Sequence, residues 1–83
     1  MFQAIIDVPA TGRNIGRLLR ENNITVNEAT RLLGLSTTNA VYKWIRGETL
    51  PALDNLVSLS AALGVPLDSI LVVRISGEKR EDA

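Results

Sequence analysis

The chain has 83 residues, 46% of them hydrophobic and 22% charged, and its nine basic residues balance nine acidic ones. It contains no Cys and no His, which excludes thiolate and imidazole chemistry, disulfides and almost every zinc site. A length of this order holds one domain and one core, and that core is marginal without dense packing or a partner. The longest apolar run, Ile70 to Val73, is far short of the ~20 residues that cross a bilayer. No basic stretch followed by an apolar run opens the chain, so the expectation is a cytoplasmic protein with no membrane partner.

Residues 2–8 roughly alternate between polar and apolar and then meet Pro9, the pattern of a short strand or extended arm. Thr11 is placed to cap a helix running to about Asn22, with Ile15, Leu18 and Leu19 at helical spacing. Gly12 and Gly16 stand four apart, and Gly16 is read as the site of a close helix approach. Asn22-Asn23 is a helix stop, because Asn tolerates the left-handed conformation. Thr25 and Glu28 have the spacing of a capping box for a second helix over about 26–33, which Gly34 terminates. Ser36 or Thr37 then caps a third helix over about 37–46. A short helix, a glycine-containing turn and another short helix give the spacing of a helix-turn-helix.

Leu50-Pro51 breaks the chain. A fourth helix from about Leu53 carries Leu53, Leu56, Val57, Leu59, Ser60 and Leu63 on one side and ends at Gly64. Pro66 opens a last short helix, with Asp68 in its first turn where the helix dipole favours an anion. Leu71, Val73 and Ile75 then alternate as in a second strand, and a polar tail from Gly77 to Ala83 reads as mobile. The expected division is a strand or arm over 1–10, a helix-turn-helix domain over 11–72, and a short strand with tail over 73–83. The apolar ends, Phe2/Ile5/Ile6 and Leu71/Val73/Ile75, suit antiparallel pairing within one chain or across two.

Charge is segregated along this order. Residues 13–46 hold six basic and two acidic side chains, a net +4, whereas residues 47–83 hold six acidic and three basic ones, a net −3. One half therefore suits a polyanion while the other does not. In the third helix Val41, Trp44 and Ile45 fall on one side, and Thr38, Asn39, Tyr42 and Lys43 on the other. Asn suits bidentate contact with adenine, Lys reads guanine acceptors or phosphate, and a Thr methyl meets a thymine methyl. A bland reading competes, in which these residues are an ordinary polar helix surface and Trp44 is core.

The stretch from Thr11 to Val72 resembles the Cro/C1-type (XRE-like) helix-turn-helix regulators of bacteria and prophages. The resemblance is carried by Ile24-Thr25, Leu33-Gly34-Leu35-Ser36, Val41-Tyr42-Lys43-Trp44 with Arg46-Gly47, Leu50-Pro51, Leu53-Asp54-Asn55-Leu56, Ala62-Leu63-Gly64-Val65 and Leu67-Asp68-Ser69-Ile70-Leu71. It implies an all-α, five-helix, lambda-repressor-like domain, with short terminal strands added, whose third helix enters the major groove. Base-reading positions of the family fall on Thr38, Asn39 and Lys43. Flanking or phosphate-contacting positions fall on Thr25, Thr37, Tyr42 and Arg46.

Three departures from the family pattern stand out. The turn is one residue longer, leaving two registers open for Thr37 and Thr38. Val26 stands where Gln commonly touches a phosphate. Leu19 and Ile45 occupy the positions of a buried Arg–Glu pair, and such a reciprocal exchange to apolar groups is often neutral or stabilising; the two are expected to touch. The resulting expectation is a regulator that binds double-stranded DNA as a homodimer, with no cofactor, no metal and no catalysis. The rival is a protein-binding module, an antitoxin or adaptor, favoured by the neutral net charge and by Val26.

Overall fold

The computed structural model describes residues 2–77, so Met1 and the tail expected to be mobile over 78–83 lie outside the described residues. The elements run β1 (Gln3–Ile6), α1 (Val8–Glu21), α2 (Val26–Leu32), α3 (Asn39–Ile45), α4 (Leu53–Leu63), α5 (Leu67–Ile70) and β2 (Val73–Ser76). The five helices form the lambda-repressor-like domain, and β1 and β2 pair antiparallel within the chain as a separate ribbon.

The start of α1 differs from the expected one. Asp7 is its N-cap, with Oδ1 accepting from the Ala10 N–H at 3.0 Å, and Pro9 lies inside the first turn. Proline fits there because the N–H it lacks would have no helical partner. Thr11 therefore sits in the second turn, fully buried, and its Oγ1 accepts from the Val72 N–H at 2.9 Å. The Asp7 N–H donates to the Val72 carbonyl at 2.8 Å, carrying the β1–β2 ladder up to the helix. Asn14 donates to the carbonyls of Ser69 and Ile70. One side of α1 thus holds the α5–β2 segment through polar contacts.

The other side of α1 meets α3. A Cβ on Gly12 would collide with the carbonyl oxygen of Trp44 and lie 2.9 Å from that of Ile45. At Gly16, the expected contact, the nearest atoms would be Arg20 Nη1 and Ile45 Cγ2 at 3.4 Å, an ordinary packing distance. The close approach belongs to Gly12, because the helices cross at the first turns of α1. Gly47, at φ +75°, would bring a Cβ within 2.7 Å of Pro9 Cα. Ile45 packs at the edge of the core that contains Leu19, with Cγ2 towards Gly16.

That core consists of Ile15, Leu18, Leu19, Ala29, Val41, Trp44, Leu56, Leu59, Leu63 and Ile70. On α4 the buried strip is Leu56, Leu59 and Leu63, whereas Leu53 is 69% and Val57 55% exposed, contrary to the expected face. Leu53 and Val57 are turned by about 90° or more around the helix from that strip. Among the described residues no buried side-chain nitrogen or oxygen lacks a partner.

Helix α2 opens with the expected capping box. Thr25 Oγ1 accepts from the Glu28 N–H, and Glu28 Oε1 accepts from the Thr25 N–H, both at 3.1 Å. The Thr25 backbone N–H, then its hydroxyl, then the Arg31 charge hold the Glu28 carboxyl below its ordinary pKa. A lowered folded-state pKa means that the box is complete above the usual carboxylate range and weakens as pH falls through the lowered value.

Two outcomes follow from these contacts. Gly12→Ala, measured by Trp44 fluorescence in urea, should destabilise the fold by about 3 kcal/mol or more, since backbone cannot give way to the added methyl. Gly16→Ala should stay within about 1 kcal/mol of the parent, helix propensity offsetting the contact. Thr25→Ala should raise the Glu28 pKa towards its ordinary value in a carboxyl NMR titration. It should also lower the urea midpoint at neutral pH, by a margin that narrows in acid.

Candidate nucleic-acid interface

The turn between α2 and α3 is built by Gly34, whose φ of +68° lets the chain reverse after Leu33 while Leu35 returns to the core edge. Thr37 is exposed, and its Oγ1 accepts from the Asn39 N–H at 3.3 Å. Thr38 is the N-cap of α3; its carbonyl accepts from the Tyr42 N–H at 3.1 Å, and its side chain makes no capping bond. The third helix is therefore shorter than the expected 37–46, because Ser36–Thr38 form the bend that enters it.

Val41 and Trp44 bury one side of α3, with Ala40 and Ile45 at the core edge. The outer side carries Asn39, Tyr42, Lys43 and, just past the helix, Arg46, all exposed and at positions i, i+3, i+4 and i+7. Thr38 differs from the expectation of full exposure: it is half-buried, because it stands where the chain turns in to start the helix. Thr25 is exposed at the start of α2, where its hydroxyl is engaged with Glu28 in the capping box. Val26 packs against the core edge, so this position has no polar side chain to offer a ligand.

The end of α3 carries a feature that the sequence reading missed. Gly47 turns the chain, the Glu48 N–H donates to the Lys43 carbonyl at 2.9 Å, and Arg46 Nε donates to the Glu48 carboxylate at 2.5 Å. That hydrogen bond, helped by the charges of Arg46 and Lys43, holds the Glu48 carboxyl below its ordinary pKa. Both partners are about half exposed, so the pair is screened and contributes little to stability. An acid two residues after Arg46, across a turn glycine, is the signal that would have revealed it.

An open hollow of about 670 Å³ lies between α1 and the α5–β2 segment, lined in part by Arg13, Arg17, Arg20 and Asp68. Arg17 there is engaged with Glu21 and Asn14, and none of the α3 outer residues reaches it. Among the described residues no group of acids is placed to hold a metal ion.

A family model described as helix-turn-helix matches residues 15–70. No curated protein matches the sequence. Among solved structures, the restriction-modification controller protein C.AhdI from Aeromonas hydrophila is similar, with a TM-score of 0.70 at 22% identity, covering 77% of this chain and 96% of that one. The likeness in structure concerns the fold. The family model takes in more than half of the residues, including both helices of the motif and the turn between them, and the chain belongs to the Cro/C1-type (XRE) helix-turn-helix family of DNA-binding regulators.

Proposed function

We propose that this protein recognises a specific double-stranded DNA sequence and represses transcription as a dimer on a pseudo-palindromic site. The observation that carries the reading is the exposed row Asn39, Tyr42, Lys43 and Arg46 on a helix whose opposite side, Val41 and Trp44, is locked in the core. Rigid presentation of this kind is what base recognition in the major groove requires. In this reading Asn39 and Lys43 meet base edges and Thr38 offers its methyl group, while Thr25, Thr37, Tyr42 and Arg46 contact phosphate or flank it. Residues 11–72 act as the DNA-binding unit, with the strands β1 and β2 on either side of it serving assembly.

One α3 spans only a few base pairs, so useful affinity calls for two copies about 34 Å apart on the duplex. The similar fold of a restriction-modification controller protein supports a role in gene control. A DNA-binding role places the protein's work in the cytoplasm; among the described residues no helix is long and apolar enough to cross a membrane. Neither a cofactor nor a catalytic activity enters the proposal.

A second reading, a protein-binding module such as an antitoxin or adaptor that uses the same fold, is favoured by the zero net charge and by Glu48 covering Arg46. A salt series on duplex DNA separates the two. DNA binding should give a log K that falls linearly and steeply with log salt. Lys43→Ala should cut the preference for the best site over single mismatches by about ten-fold, whereas Arg46→Ala should weaken all sequences alike and reduce the salt slope by about one. If neither substitution alters retention on DNA, the protein-binding reading replaces this one.

A further inference from the structure

The β1–β2 ribbon has two unlike faces. Its register sets Ala4 opposite Ile75 and Ile6 opposite Val73, and between them Gln3 opposite Ser76 and Ile5 opposite Arg74. Side chains alternate across a strand, so Phe2, one residue before β1, continues the first set. That face is apolar throughout: Phe2, Ala4, Ile6, Val73 and Ile75. The other face is mixed: it carries Gln3, Arg74 and Ser76 with one apolar side chain, Ile5, 44% exposed, and Arg74 Nε lies 3.5 Å from Asp7 Oδ2.

The described residues leave much of the apolar face open. Phe2 is 49%, Ile6 38%, Val73 47% and Ile75 56% exposed. Together they present on the order of 400 Å² of apolar surface, a patch size that in monomers is often functional. An isolated two-stranded ribbon is also marginal in water and gains independent stability only when a face is packed.

We infer that a second copy of this chain covers this face, ribbon packed on ribbon about a two-fold axis. The inference rests on the dimeric part of the function proposed above and names the surface that makes the dimer. Residues 78–83, Glu-Lys-Arg-Glu-Asp-Ala, have one methyl side chain among them and supply no apolar cover. The face carries no charge and no polar side chain, so its complement is an uncharged apolar surface of similar size. An identical ribbon supplies one, and the symmetric contact closes on itself instead of propagating. Two such faces bury on the order of 800 Å², below the range of about 1,200–2,000 Å² for stable interfaces. The dimer is therefore reversible, and a two-site DNA would consolidate it.

Ile75→Arg and Ser76→Arg place the same charge at adjacent positions of β2 on opposite faces. In sedimentation velocity over a dilution series without DNA, the parent chain and Ser76→Arg should both show a concentration-dependent dimer. Ile75→Arg should remain monomeric with unchanged helical circular dichroism. The chain has no cysteine, so a second measurement is clean even if Ile75→Arg folds poorly. A bis-maleimide with a reach of about 10 Å, the spacing of packed sheets, should join Ile75→Cys chains in pairs and leave Ser76→Cys chains single. A parent chain that stays monomeric at every concentration overturns both this inference and the dimeric part of the function. A dimer that survives Ile75→Arg, that Ser76→Arg disrupts equally, or that cross-links equally at both positions overturns the ribbon interface alone.

Discussion

The first turns of α1 and the last turn of α3 meet backbone to backbone, and the direction in which α3 presents its outer row follows from that meeting. Gly12 lies against the carbonyls of Trp44 and Ile45, and Pro9 against Gly47. Contacts between side chains can be relieved by a change of rotamer; contacts between main chains cannot. The same helix holds the end of the domain on its other side, through Thr11 to Val72 and Asn14 to Ser69 and Ile70. α1 is thus the beam to which both α3 and the α5–β2 segment are fastened.

Much of this was legible in the sequence because it is local. The capping box needs only Thr25 and Glu28, and the stops at Asn23, Gly34 and Gly64 need only a residue that accepts positive φ. The inward positions Val41 and Trp44 follow from helical period alone. What failed depended on a distant partner. Thr11 has the chemistry of a cap, but Val72, sixty-one residues away, claims its hydroxyl. Two glycines four apart look alike until α3 arrives, and it presses on Gly12. Leu53 and Val57 satisfy a helical pattern, yet among the described residues no element covers their side of α4. On α3 the outward placement of Asn39 and Lys43 is again a matter of period, whereas the Arg46–Glu48 pair depends on the turn at Gly47.

That pair sets the end of α3 apart from the other helix ends. After the positive-φ residue that closes α1, α2 and α4 come Ile24, Leu35 and Val65, each packed on the core edge. After Gly47 comes Glu48, which turns back to Arg46 instead. An anion approaching Arg46 would exchange one carboxylate partner for another group of like charge, so the gain lies in the difference between two ion pairs. In a chain with no net charge, such a local cancellation lowers general attraction for polyanions and leaves more of the discrimination to shape and hydrogen bonding.

Only Asp7 stands between β1 and α1, and that residue caps the helix, extends the ladder to Val72 and faces Arg74. There is no swivel at this joint. A torque applied to the ribbon passes directly into the turn of α1 that abuts α3. Two molecules clasped there would hold their reading helices at one pitch, and DNA half-sites out of phase with that pitch would be refused on mechanical grounds, whatever bases they carry.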